Sequence, residues 1–153
     1  MKLVTAALAA LVLVGALAPE ARAQQGANMS VAPTAFSYPS GDPDTTPIVT
    51  GPQLTISYKV TGGPIGWTIT VQGTNLTSGP NTIPASNVTW TATPQPYFVA
   101  SGTLSTTAQR LAGELNHHAA GTQYGYVTFS LMNLWTYKAG TYTQTITFTV
   151  TVP

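Results

Sequence analysis

The chain has 153 residues, no cysteine, and five basic against four acidic side chains. The lack of thiols excludes disulfide staples and thiolate-built zinc sites. A formal net charge of +1 supplies no basic field for nucleic acid or an anionic membrane surface.

In chain order, Met1-Lys2 gives a positive start, and Leu3 to Leu17 is an apolar run broken only by Thr5 and Gly15. Pro19 ends the run, and Ala21-Arg22-Ala23 is a small-x-small cleavage pattern. Together these read as a secretory signal peptide over residues 1–23, cut before Gln24. The run falls short of the roughly 20 apolar residues that a spanning helix needs, and no second one follows, so the mature chain is expected to lack a membrane span. Residues 24–153 then carry Lys59, Arg110 and Lys138 against Asp42, Asp44 and Glu114, and are formally neutral. Threonine, at 26 of those residues, supplies the polar surface instead.

Residues 24–52 are rich in Pro, Ser, Thr, Asp and Gly, with short extended pieces expected at 30–32 and 35–38 and a loop at 40–47. Period-two alternation then takes over. Leu54, Ile56, Tyr58 and Val60 share one face of 53–60, and Ile65, Trp67, Ile69 and Val71 share one face of 65–71. With Gly62-Gly63-Pro64 between them, the two runs predict an antiparallel hairpin. Residues 87–93 give a third strand with Val88, Trp90 and Ala92 inward. The run 123–132 gives another, with Tyr124 and Tyr126 opposite Val127, Phe129 and Leu131. Residues 141–152 alternate Tyr142, Ile146, Phe148, Val150 and Val152 with threonines, a pattern suited to a pleated surface wet on one side. Leu104, Ala108, Leu111, Ala112 and Leu115 fit a helical stripe, but Gly113 and the absence of other helical segments favour strand plus loop over 104–118.

About seven strands with Gly/Pro turns and no helix predict an all-β, antiparallel, immunoglobulin-like β-sandwich. Residues 53–153 form its body, and parts of 24–52 pack with it as one domain.

Two segments resemble the paired signatures of the WxL domain of bacterial surface proteins. The first is Gly66-Trp67-Thr68-Ile69-Thr70-Val71 with Asn75-Leu76-Thr77 and Ile83-Pro84-Ala85-Ser86. The second is Ala139-Gly140-Thr141-Tyr142-Thr143-Gln144-Thr145-Ile146-Thr147-Phe148-Thr149-Val150 with the closing Pro153. The likeness spans Leu54 to Pro153, with Trp67-Thr68-Ile69 and Phe148-Thr149-Val150 standing at the Trp-x-Leu positions. It implies a secreted protein at the bacterial cell surface, attached non-covalently to the wall through peptidoglycan. Trp67, Ile69, Trp90, Tyr142 and Phe148 are read as motif and core residues.

Chemistry is sparse. Asp42-x-Asp44 among prolines reads as a turn. Glu114-x-x-His117-His118 matches neither ordering of a zinc-protease helix and reads as an exposed polar loop. No nucleophile stands beside a base, so no catalytic residue, metal or cofactor is expected. The asparagines of Asn28-x-Ser30, Asn75-x-Thr77 and Asn87-x-Thr89 are chance sequon matches in a threonine-rich chain. Trp135 and Tyr137, with Tyr97, are the candidate ligand-binding aromatics, able to stack on sugar rings; core filling or edge cover is the commoner use of a tryptophan such as Trp135. The expected function is non-catalytic binding of cell-wall polysaccharide or of other surface proteins. The alternative is a self-associating, pilin-like filament subunit that donates its segment 24–38 as a strand.

Overall fold

The computed structural model describes residues 26–62, 65–94, 96–117 and 121–152. The expected leader at 1–23, Gly63 and Pro64 of the expected turn, His118 and Pro153 lie outside the described residues. Apart from one 3-10 turn at Ala85–Asn87, every regular element among the described residues is a β-strand. In order these are β1 (Gly26–Ala32), β2 (Ile48–Thr61), β3 (Ile65–Gly73), β4 (Leu76–Ser78), β5 (Asn81–Ile83), β6 (Val88–Thr93), β7 (Ser101–Thr103), β8 (Gln109–His117), β9 (Gln123–Met132) and β10 (Ile146–Thr151).

All pairings are antiparallel. A five-stranded sheet runs β1-β2-β9-β6-β7, a three-stranded sheet runs β10-β3-β8, and β4-β5 is a small hairpin. The inner faces of both larger sheets meet in one core. Tyr58 of the first sheet packs on Trp67 of the second with ring centroids 4.6 Å apart, and Phe129 meets Phe148 at 6.3 Å. Alternation is obeyed closely in β6, where Val88, Trp90 and Ala92 are buried and Thr89, Thr91 and Thr93 are exposed. In β9 the inward set is Val127 and Phe129, and Tyr124 and Tyr126 face out.

Several expectations need correction. The runs 53–60 and 65–71 are strands, but they do not form a hairpin: β2 pairs with β1 and β9, and β3 with β10 and β8. Each run has one apolar face, and the two faces bury more by stacking across the core than they could side by side in one sheet. The last strand is shorter than 141–152. Thr143 exchanges two backbone hydrogen bonds with Thr77 of β4, and Thr145 O accepts from Thr74 N, before the chain joins β3 at Ile146. Consequently β10 pairs with β3 so that Phe148 faces Val71 and Val150 faces Ile69. The triplets Trp67-Thr68-Ile69 on β3 and Phe148-Thr149-Val150 on β10 thus lie on neighbouring strands of one sheet.

Residues 109–117 are strand, so the Glu114-x-x-His117 stretch lies on β8 rather than in a loop. Its register with β3 shifts twice, and Leu111 and Ala112, consecutive in sequence, are both fully buried. A bulge of this kind breaks period two, and this mimicked a helical stripe. Leu115, counted in that stripe, is 87% exposed. Within the segment 24–38 considered as a donor strand, Gly26–Ala32 pairs along Thr61–Thr55 of its own chain.

Phe98, fully buried, comes from the connection between β6 and β7 and sets the tip of its ring against Gly125 of β9. A Cβ at position 125 would fall well inside van der Waals contact with the Phe98 ring. Gly125→Ala should therefore cost about 1–3 kcal/mol through overpacking, read as a lower urea midpoint at unchanged slope. Gly121→Ala, where a Cβ meets nothing within 4 Å, should leave the midpoint in place.

Candidate functional site

The five-stranded sheet is wider than its three-stranded partner, so one end of its inner face needs cover from elsewhere. The strap that supplies it runs from the end of β1 to the start of β2. Phe36 inserts from the strap and stacks on Phe129 with ring centroids 6.2 Å apart and planes 10° apart, while Tyr38 meets Phe36 edge-on at 5.4 Å. Room for Phe36 is made by Gly51, where a Cβ would stand 2.8 Å from the ring. Gly51-Pro52 is also where the register of β2 against β9 shifts. Proline cannot donate to the ladder, so a bulge belongs there.

A second coil segment, 133–144, crosses the same end and clasps the strap. Asn133 Nδ2 donates to Gly41 O and Thr46 O, each at 3.0 Å, and Asn133 N donates to Pro47 O at 2.8 Å. Trp135 Nε1 donates to Asp44 Oδ1 at 2.8 Å. Asp42 holds the turn beneath, accepting Asp44 N on Oδ1 at 2.9 Å and Thr46 N on its carbonyl at 2.6 Å. The aspartate pair thus forms the turn the sequence indicated, and one of its carboxylates also anchors a tryptophan.

Between strap and clasp lies a cleft of about 1030 Å³. Six aromatic side chains line it: Phe36, Tyr38, Trp135, Tyr137, Tyr142 and Phe148. Thr34, Ser37, Ser40, Asn133, Thr141, Thr143 and Gln144 add hydroxyls and amides, and Lys138 is the one charged lining residue among the described residues. Trp135 is 67% exposed, so its indole is tethered through Nε1 while much of the ring stays open to solvent. Tyr137 is half-buried and its hydroxyl accepts from Asn87 Nδ2. Burial, then neighbouring Tyr142, raises the Tyr137 pKa. Tyr142 Oη donates to Lys138 O at 3.0 Å.

The sequence-derived candidates divide. Trp135 and Tyr137 come together at the cleft, whereas Tyr97 does not line it. Tyr97 sits on the connection before Phe98, where its carbonyl accepts Gly113 N of β8. Trp67, Ile69 and Trp90 are core. Tyr142 and Phe148, read as core, are half-buried instead: they pack against the core and present the remainder to the cleft. Phe36 and Tyr38 were missed as site residues. The available signal was two aromatics spaced by one in a segment otherwise made of small polar residues and prolines. Asn75 and Asn87, the central asparagines of two sequon matches, use their side chains internally, Asn75 Oδ1 accepting Ala85 N and Asn87 Nδ2 donating to Tyr137.

Among the described residues there is no group of three His, Cys, Asp or Glu side chains placed to hold a metal. No helix among them is long and apolar enough to cross a membrane. No protein-family model matches the chain, and a search of curated proteins returns no match.

Tyr38 ends in a buried hydroxyl with no hydrogen-bond partner among the described residues. Burial pushes its pKa up to about 12. Tyr58 is likewise pushed up to about 12, by burial first and then by the Glu114 charge and Tyr97. A folded pKa above the ordinary 10.0 means that the native state holds the phenolic proton more tightly than the unfolded chain. The contribution is fully present below pH 10.0 and drains as pH climbs through about 12. Urea midpoints should accordingly fall steeply over that window. Tyr38→Phe should hold or gain stability at neutral pH, since it deletes an unpartnered buried hydroxyl, and should fall less steeply in alkali. Identical alkaline slopes in the two proteins would contradict the buried placement of that hydroxyl.

Proposed function

We propose that this is a non-catalytic, exported protein of the bacterial cell surface, an immunoglobulin-like β-sandwich that holds the sugar rings of wall peptidoglycan in the cleft between its strap and its clasp. One observation carries the reading: among the described residues, six aromatic side chains and a set of hydroxyls and amides surround a cleft whose single charged lining residue is Lys138. Sugar rings present apolar faces to aromatic planes and a girdle of hydroxyls to uncharged hydrogen-bonding groups. A highly charged ligand would leave its charges uncompensated there. Trp135, tethered at its edge and open on its face, is the stacking residue. Tyr142, with its hydroxyl committed to Lys138 O, is a second wall of fixed orientation.

The signal-peptide pattern at 1–23 supports export, and the WxL-like segments point to the same ligand class. The scarcity of acid, base and nucleophile in one place supports binding without turnover.

The test is co-sedimentation with purified peptidoglycan. Trp135→Ala should weaken binding about ten-fold or more, the scale expected for truncating a central aromatic contact. Its thermal unfolding should shift only by the loss of one exposed hydrogen bond, about 1 kcal/mol. Trp135→Phe, which keeps the ring and drops the indole N–H, should retain most of the affinity. Equal binding by the wild type and the alanine variant would remove the cleft from the interaction.

A further inference from the structure

Among the described residues, four strands end the two larger sheets: β1 and β7 in one, β8 and β10 in the other. An open edge offers unpaired backbone groups to any passing strand, and natural edges are blunted by shortness, charge, bulges or cover. β7 is three residues long. β8 shifts register twice, carries Arg110 and Glu114, and is overlaid on its outer side: Val99 N donates to Leu111 O, Gly113 N to Tyr97 O, and Phe98 bridges Ala112. The opposite flank differs. β10 pairs with β3 through six consecutive residues without a shift. Its sequence, Ile-Thr-Phe-Thr-Val-Thr, has no charge and no proline. β1 lies alongside it without pairing to it. The inward side chains Ile146, Phe148, Val150 and Val152 remain only half-buried, packed on the core on one side.

We propose that β10 pairs antiparallel with β10 of a second copy about a two-fold axis, joining the two three-stranded sheets into one. A two-fold edge contact is self-complementary by construction. Its register is constrained, because residues directly opposite each other in an antiparallel pair share a face and a one-residue slip reverses every side chain. Apolar therefore meets apolar only when the axis passes through a residue. The axis through Thr149 uses the most of the strand: Phe148 faces Val150, Thr147 faces Thr151, and Ile146 faces Val152. Threonines line the wet face, where hydroxyl pairs are favourable, and the apolar row covers the half-exposed inner side chains of both copies. Residues 24–153 carry three bases, Lys59, Arg110 and Lys138, and three acids, Asp42, Asp44 and Glu114. Two copies therefore approach without net repulsion. Ile146 and Phe148 belong both to this edge and to the cleft lining, and the tests below read self-association, whereas the glycan reading is tested at Trp135, away from β10.

Protein expressed from the full sequence should show a reversible monomer–dimer equilibrium in sedimentation equilibrium at micromolar to submillimolar concentration. Thr149→Lys places a lysine of each copy opposite the other at the axis. It should raise the dissociation constant at least ten-fold while the monomer still melts cooperatively. Thr103→Lys, on the exposed face of β7, should leave the equilibrium unchanged. Because the chain has no cysteine, single cysteines report the register directly. Thr149→Cys should oxidise to a covalent dimer, whereas Thr147→Cys and Thr151→Cys should link to each other when mixed and poorly to themselves. This readout decides the matter if Thr149→Lys fails to fold. The proposal is overturned by a wild type that stays monomeric throughout, by open-ended filaments in place of a closed dimer, or by Thr147→Cys linking to itself as readily as Thr149→Cys.

Discussion

Two sheets of unequal width must share one oily interface, and no covalent bond helps them do it. The chain has no cysteine and few charges, so cohesion depends on alternate apolar residues meeting across the gap, as Tyr58 does with Trp67. Burial of that kind is worth about 1.5–3 kcal/mol per large side chain. It is the main stabilising contribution available to set against chain entropy. The threonine rows serve the same end from outside. They keep β-branched side chains on the pleat and hydroxyls in water, so the alternation has one low-energy register.

The unequal widths explain the accessory parts. Five strands expose more inner face than three can cover, and coil segments fill the remainder. Phe98 covers Gly125 at one place, Phe36, with Tyr38 against it, covers Phe129 at another, and Leu76 and Ile83 of the β4-β5 hairpin close part of the same end. Coil has no ladder of its own, so these segments are tied by individual bonds. Asn133 and Trp135 hold the strap, and Thr143 and Thr145 dock on Thr77 and Thr74. The cleft is the space left where two such covers meet without filling the gap between them. Its aromatic lining follows from the same demand, since aromatic side chains are the large apolar groups that can cover a core with one face and meet solvent with the other.

Two buried polar atoms mark where packing took precedence over hydrogen bonding. The Tyr38 hydroxyl and Trp90 Nε1 have no partner among the described residues. Each is a loss of about 1–3 kcal/mol, and at Trp90 it is sustained because the indole fills space that a smaller apolar side chain would leave empty. Trp90 lies directly over Gly102 of β7, where a Cβ could not be accommodated. The glycine and the tryptophan thus determine each other's identity.

What the sequence by itself determined is the local periodicity. Apolar residues at every second position, broken by Gly and Pro, dictate strands and their inward faces at 54–60, 67–71, 88–92 and 127–131, because side chains on an extended backbone alternate sides regardless of what they later pack against. Trp67, Ile69 and Trp90 were legible as core for that reason. Partner choice was not legible. Alternation in 53–60 and 65–71 fits a hairpin as well as two facing sheets, and only the total area buried by the folded whole separates them. Bulges were equally hidden, since the adjacent inward pair Leu111 and Ala112 looks helical until β3 is laid beside it. The candidate site was half legible. Trp135 and Tyr137 stood out as aromatics between strands, but Phe36 and Tyr38 lie about a hundred residues upstream. No local pattern joins them; the tertiary structure did, because both segments cross the same uncovered end of the core.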